Sequence, residues 1–266
     1  MAYPTILFGP ESEPYNVYAA VSPAPGNNGA GGQIAYRYRL PLGKQLILED
    51  GRKFRFARCN TPATVIGNVL AGPTPISTDA SMACAAGAVA DRIITYTHGA
   101  ATTAINFFAE GYANISLAPG SGQIYKIASH AALTSATAGD IVNLAPGHAL
   151  RVALTTTSDL TLVNNVYDGV IQQPATPLGA LCGIGITILA AEAAGALSSG
   201  WVQTRGMASV LSAASTVSGN PVGCLITGGT AGAVAPLSAN TQVVVGTAHA
   251  AEGTAEWGAI YVTIDG

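Results

Sequence analysis

The 266-residue chain carries 11 Lys and Arg against 14 Asp and Glu, a net charge of −3, and charged residues make up 9% of it, against roughly 25% in an ordinary soluble domain. That balance excludes an electrostatic nucleic-acid binder, and a hydrophobic content of 49% excludes an intrinsically disordered chain. So little charge is a poor cover for a lone monomer, and it points to a surface buried against neighbours in an assembly.

The apolar content does not come from a membrane span. The longest apolar stretch, residues 181–191, is interrupted by Gly183, Gly185 and Thr187 and followed by Glu192, well short of the ~18–20 apolar residues a bilayer requires. The N-terminus has no basic region followed by a long apolar run, so synthesis in the cytoplasm without secretion is expected. Cys59, Cys84, Cys182 and Cys224 are far apart and form no Cys-x-x-Cys pair. In a reducing compartment they are expected to be buried small hydrophobes.

Residues 1–43 read as an extended N-terminal arm. Pro4, Pro10, Pro14, Pro23, Pro25 and Pro41 break helical windows, and residues 26–32 form a Gly- and Asn-rich turn. Tyr15, Tyr18, Tyr36 and Tyr38 are spaced through it. An arm of this kind cannot bury those rings by itself, so they lie on the chain's own body or on a neighbouring subunit. They are the candidate partner-contact residues.

At Gln45 the pattern changes. Phe54 and Phe56 alternate with Lys53 and Arg55, the period-2 pattern of a half-buried strand, and Asp50-Gly51 separates this run from Leu46-Ile47-Leu48. Residues 45–57 are expected to form a β-hairpin with a type I′ turn, Phe54 and Phe56 facing the core and Lys53 and Arg55 facing outward. Further strands are expected at 92–97, 114–117, 123–128, 151–154, 159–163, 169–172, 201–204, 207–211, 223–226, 242–246 and 258–264. These runs are rich in Thr, Val, Ile and Tyr, with Gly, Pro, Asn and Asp between them. Residues 78–90 are the single candidate helix, weakened by Gly87. The expected class is all-β: two small β-barrel- or sandwich-like lobes after the arm, at 44–175 and 176–266, meeting near Pro174–Pro177.

Catalytic signals are missing. His98, His130, His148 and His249 are isolated, and none has metal-ligand spacing. Glu49 and Asp50 sit at the hairpin turn, and Glu252 and Glu256 flank a short Gly-bearing segment before Trp257. No Gly-x-Ser-x-Gly elbow, dinucleotide loop or phosphate loop occurs. No enzymatic activity, cofactor or metal is expected.

Several segments in order along the chain resemble a known group. They are Leu46 to Ala57 with its Asp-Gly-Arg hairpin, Gly122 to His130, Leu160 to Gln172 with Asn164, Tyr167, Asp168 and Gly169, Gly200 to Gly206 around Trp201, and Ile260 to Asp265. Together, over about residues 40–266, they resemble the capsid decoration, or cement, proteins of tailed bacteriophages. The resemblance implies a structural protein of the virion that binds the outer surface of the major capsid protein lattice and stabilises the head. It implies no catalytic residues. Lattice geometry favours a homotrimer over a dimer.

Clamping calls for β edges, small residues, aromatic anchors and few desolvated charges, which this composition supplies. Trp201 and Trp257 are alternative anchors, although a Trp in an all-β domain is expected in the core. The competing reading is a glycan-binding or host-attachment β module, for which Asn164, Asn165, Tyr167 and Asp168 are the candidate cluster. A hairpin turn is the preferred explanation of that cluster.

Overall fold

In the computed structural model, which describes residues 6–18, 40–59, 62–134, 136–176, 179–190, 198–224, 230–239 and 242–265, strands begin inside the arm. β1 (Ile6–Phe8) lies parallel to β2 (Gln45–Ile47), which pairs antiparallel with β3 (Lys53–Cys59). Then come β4 (Val69–Ala71), β5 (Met82–Ala83), β6 (Ile93–Thr97), β7 (Tyr112–Ile115), β8 (Ile124–His130), β9 (Ala138–Leu144) and β10 (Asp159–Val163). The rest of the chain supplies β11 (Asp168–Gln172), β12 (Leu181–Gly185), β13 (Ser199–Leu211), β14 (Pro221–Cys224), β15 (Val234–Pro236), β16 (Val244–Ala248) and β17 (Trp257–Thr263). The fold is all-β, as the composition and turn spacing predict. No helix among the described residues is long and apolar enough to cross a membrane.

The chain divides into two compact units, and the division is not the consecutive one expected. One unit takes Met1–Ser22, Ala35–Thr74 and Val166–Gly266; in the other, Pro75–Asn165 makes up the described part. β4 pairs with both β11 and β12, and β11 also pairs with β3. Strands on both sides of Pro174–Pro177 therefore belong to one sheet, and that segment is an internal connection of the first unit.

In the first unit the pairings β3–β11–β4–β12–β13 return to β3 and close a five-stranded ring. Ala57, Cys59, Leu70, Val170, Cys182 and Val202 fill it. β13 is long enough to serve two structures. Residues 199–205 pair with β3, a register shift falls between Gln203 and Arg205, and residues 205–211 pair with β17. From there the sheet runs on through β16, β14 and β15 over a second core that includes Val210, Val222, Val234, Val245 and Ile260.

The hairpin forms and both Phe rings are buried as expected, but Leu46 stands opposite Phe54, one residue off the register that a two-residue Asp50-Gly51 turn would set. Its turn is different. Gly51 alone takes a positive φ (83°), its N–H donates to the Leu48 carbonyl at 3.0 Å, and Leu48 N–H donates to the Arg52 carbonyl at 3.1 Å. Glu49, Asp50 and Gly51 thus make a three-residue loop with glycine at the left-handed position, where Asp50 need not adopt a positive φ. The opposite side of β3 is not open to solvent as expected. Arg55 lies on the same side as Ala57 and Cys59 and meets Asp265 through two hydrogen bonds, of 2.7 and 3.0 Å.

The face carrying Phe54 and Phe56 is closed by the arm. Leu46, Leu48, Phe54, Phe56 and Trp201 form a core against which Leu7, Tyr18, Leu40 and Leu42 pack. The described part of the arm is therefore a layer of the body.

In the second unit the order β5–β10–β7–β8–β9–β6 forms a six-stranded sheet, and an isolated bridge from Cys84 to Tyr96 joins its two ends. Tyr96, Phe108, Tyr125, Ile127 and Leu160 are among the side chains that fill it. Residues 78–90 are not helical. They hold the end of a 3-10 turn, Ser77–Asp79, and then β5. Residues 151–154 supply a single bridge, Leu154 to Gly87, where a strand was expected.

Candidate docking face

The outward residues of β13 and β17 stand opposite one another: Arg205 with Thr263, Met207 with Tyr261, Ser209 with Ala259, and Leu211 with Trp257. Alternation sends Val210, Ile260 and Val262 into the core beneath. It leaves Met207, Trp257 and Tyr261 at 38%, 53% and 42% exposure. A row of large apolar and aromatic side chains on one sheet face marks an interaction surface better than scattered exposed residues do.

Two depressions lie along this row. The larger, about 730 Å³, runs between the hairpin tip and the ladder, with Ile47, Arg52, Lys53, Arg205, Met207 and Tyr261 among its walls. The smaller, about 360 Å³, lies between Met207 and Trp257 and includes Glu252 and Ser209. Met207 lines both.

Two glycines shape these walls. Gly67 has φ 76°, and a Cβ there would come within 2.4 Å of Trp257 Cδ1. The indole lies against a bare backbone, and any larger residue at 67 would displace it. Gly206 has φ 90°, and a Cβ there would lie 2.7 Å from Arg52 Cγ. That close approach holds the Arg52 stem against the groove wall.

The charges of the groove are unevenly committed. Arg52 Nε donates to Asp50 Oδ2 at 2.5 Å, and its guanidinium also pairs with Glu11. Burial works against the charge on Arg52, but the hydrogen bonds to Asp50 and Glu11 raise its pKa. Elsewhere in the unit, Arg55 pairs with Asp265 and Arg58 with Asp168. Among the described residues, no ion pair or hydrogen bond engages the Arg205 guanidinium, although its backbone carbonyl accepts from Gln203 Nε2 at 3.1 Å.

The sequence candidates are scattered. Tyr15 is exposed. Tyr18 packs on the body: its ring meets Phe56 edge-on at 5.6 Å, and its hydroxyl donates to Glu13 Oε1 at 2.5 Å. Burial and the Glu13 carboxylate push its pKa up to about 12. Tyr36 and Tyr38 lie outside the described residues. Trp201 is fully buried, whereas Trp257 is not.

The Asn164–Asp168 cluster is occupied by structural contacts. Asn164 Nδ2 donates to the Phe107 carbonyl and Asn165 Nδ2 to the Glu110 carbonyl, at 3.2 Å each. Asp168 accepts from Arg58 Nε at 2.7 Å, and Tyr167 packs against the ring core. The four cysteines are free and buried. Burial pushes Cys84 up to about 11 and Cys224 up to about 12.

His98 is a core residue. Its Nε2 approaches Asp79 Oδ1 at 2.9 Å, with both side chains inaccessible, and its Nδ1 lies 3.2 Å from the Thr134 carbonyl. His130 Nε2 accepts the Phe108 N–H at 2.9 Å. No group of three or more His, Cys, Asp or Glu side chains among the described residues is placed to hold a metal ion.

Sequence reasoning missed Arg205 and Met207 as surface groups. Their outward direction follows from pairing with β17, although the alternation of Trp257, Ala259 and Tyr261 with Gly258, Ile260 and Val262 was a usable signal. No protein-family model matches the chain, and neither a curated protein nor a solved structure is found to match it.

Proposed function

We propose that this chain is a structural virion protein that binds the outer surface of a major capsid protein lattice and stabilises a phage head, acting as a homo-oligomer, with a trimer at three-fold positions favoured. The observation that carries the reading is the exposed Met207–Tyr261–Trp257 row on a chain with only 9% charged residues. Such a face loses exposed apolar area on docking and needs little charge to be desolvated. Co-sedimentation of the purified chain with expanded heads from the same source, followed by cryo-EM of the particles, tests it. Ordered density on the outer surface is expected. Tyr261→Lys with Trp257→Lys should remove that occupancy without lowering the melting temperature. Absence of the wild-type chain from sedimented heads would overturn the proposal.

The second reading is a glycan-binding or host-attachment module. The exposed Trp257, next to Glu252 and Ser209 in the smaller depression, is the observation that favours it. Binding on a glycan array that Trp257→Ala abolishes, without head binding, would select it.

A further inference from the structure

We infer that the larger depression receives an extended acidic segment of the partner protein, with a carboxylate on Arg205 and an apolar or aromatic side chain over Met207 and Tyr261. This rests on reading the face as a docking surface and adds the chemistry of what docks. The argument is one of charge. The chain as a whole is negative, at −3, but three cations, Arg52, Lys53 and Arg205, line this groove. Arg52 is held by Asp50 and Glu11, and the charge of Lys53 acts on Asp265. The other described arginines of the unit each have a carboxylate, and Arg205 has none. A planar guanidinium left half-buried beside apolar side chains matches a carboxylate through two parallel hydrogen bonds, and water does not supply that geometry.

The rest of the groove sets the neighbour of that carboxylate. Met207 and Tyr261 face each other across the ladder, and Ile47 closes the hairpin side. At about 730 Å³ the depression holds a few side chains of an extended segment and lies within the size range of ligand clefts. Arg, Tyr and Trp are the residue types that dominate binding energy at interfaces. A neutral sugar leaves the Arg205 guanidinium without an opposite charge. Three cations are also too few to track a nucleic-acid backbone.

The test uses the full chain and labelled octapeptides read by fluorescence anisotropy. One peptide carries two Glu flanking a Phe, one has both Glu replaced by Gln, and a single-stranded oligonucleotide is the third probe. The acidic peptide should bind at least about tenfold more tightly than its Gln counterpart, a difference of about 1.4 kcal/mol, and binding should weaken with salt. Arg205→Gln should remove that preference with an unchanged melting temperature, and Arg205→Lys should restore part of it. Equal binding of the two peptides, an unaffected Arg205→Gln variant, no peptide binding, or preference for the oligonucleotide would each overturn the inference. Head co-sedimentation separates the two readings. Heads that bind wild type and Arg205→Gln equally leave the capsid reading standing and sink this one. Peptide selectivity without head binding does the reverse.

Discussion

Trp201 Nε1–H, on a side chain with no solvent exposure, donates to Glu13 Oε1 at 3.3 Å across 188 residues of sequence. The same carboxylate accepts from the Tyr18 hydroxyl and, through its other oxygen, from Asn16 Nδ2 at 2.9 Å. A short 3-10 turn, Glu13–Tyr15, brings the carboxylate there, and Tyr18 then bridges to Ser199 beside Trp201. The arm is thus fixed to the body by polar contacts as well as by the packing of Leu7 and Tyr18.

Removing that acceptor should be costly. Glu13→Ala leaves the buried indole N–H without its partner, a loss of about 1–3 kcal/mol, while Glu13→Gln keeps an acceptor and should lose less. Deleting residues 1–18 should lower the melting temperature clearly. An arm that served only a neighbouring subunit would leave it unchanged. Urea unfolding of the three variants decides.

Phe56 meets Trp201 edge-on at 5.3 Å and Tyr18 at 5.6 Å, and it is buried. Phe56→Ala should therefore destabilise by about 3–5 kcal/mol, measured by denaturant unfolding. Tyr15→Ala, at an exposed ring in the same arm, should change stability by less than about 0.5 kcal/mol.

Acid should weaken the Arg55–Asp265 contact. The hydrogen bonds from Arg55 hold the Asp265 carboxyl below its ordinary value, against the opposing effect of burial. A depressed folded-state pKa gives stability that is full above the unfolded value of 3.8 and is lost as pH falls through the folded one. Arg55→Gln should flatten the acid limb of a melting-temperature profile below about pH 4. An acid limb identical to wild type would refute the linkage.

The buried Asp79 and His98 side chains of the second unit should be energetically coupled. Burial pushes Asp79 up, and His98 offsets part of that. His98→Leu leaves the Asp79 carboxyl in the interior without its polar neighbour and should destabilise by about 1–3 kcal/mol. The double variant with Asp79→Leu should recover part of the loss, because no buried polar group of the pair is then left without its neighbour. Unfolding of the single and double variants by urea reads the difference.

The cysteines should be silent in the native state. All four are buried and burial raises each thiol, which keeps the thiolate fraction low. A thiol-reactive chromophore should label fewer than one group per chain within minutes under native conditions and all four after unfolding. Rapid native labelling of any one would contradict this burial.

Local pattern alone determined the β class, the position of the hairpin and the burial of Phe54 and Phe56, because period-2 alternation and turn residues act within a few positions. It also marked the cysteines as buried and the chain as poor in surface charge. Three things were decided by tertiary structure. The unit boundaries follow from β4 pairing with strands some hundred residues later, and Pro174–Pro177 reads locally like a linker although it joins two strands of one ring. Arg55 turns inward because its partner, Asp265, is 210 residues away, and the sequence pattern carries charge alternation but no pairing. Trp201 and Trp257 are equivalent as letters, and only the arm over one and the bare Gly67 beside the other make the first a core residue and the second a surface one. Short-range sterics write themselves into sequence, whereas the choice of partner across a sheet is a long-range energetic competition that one chain's letters do not display.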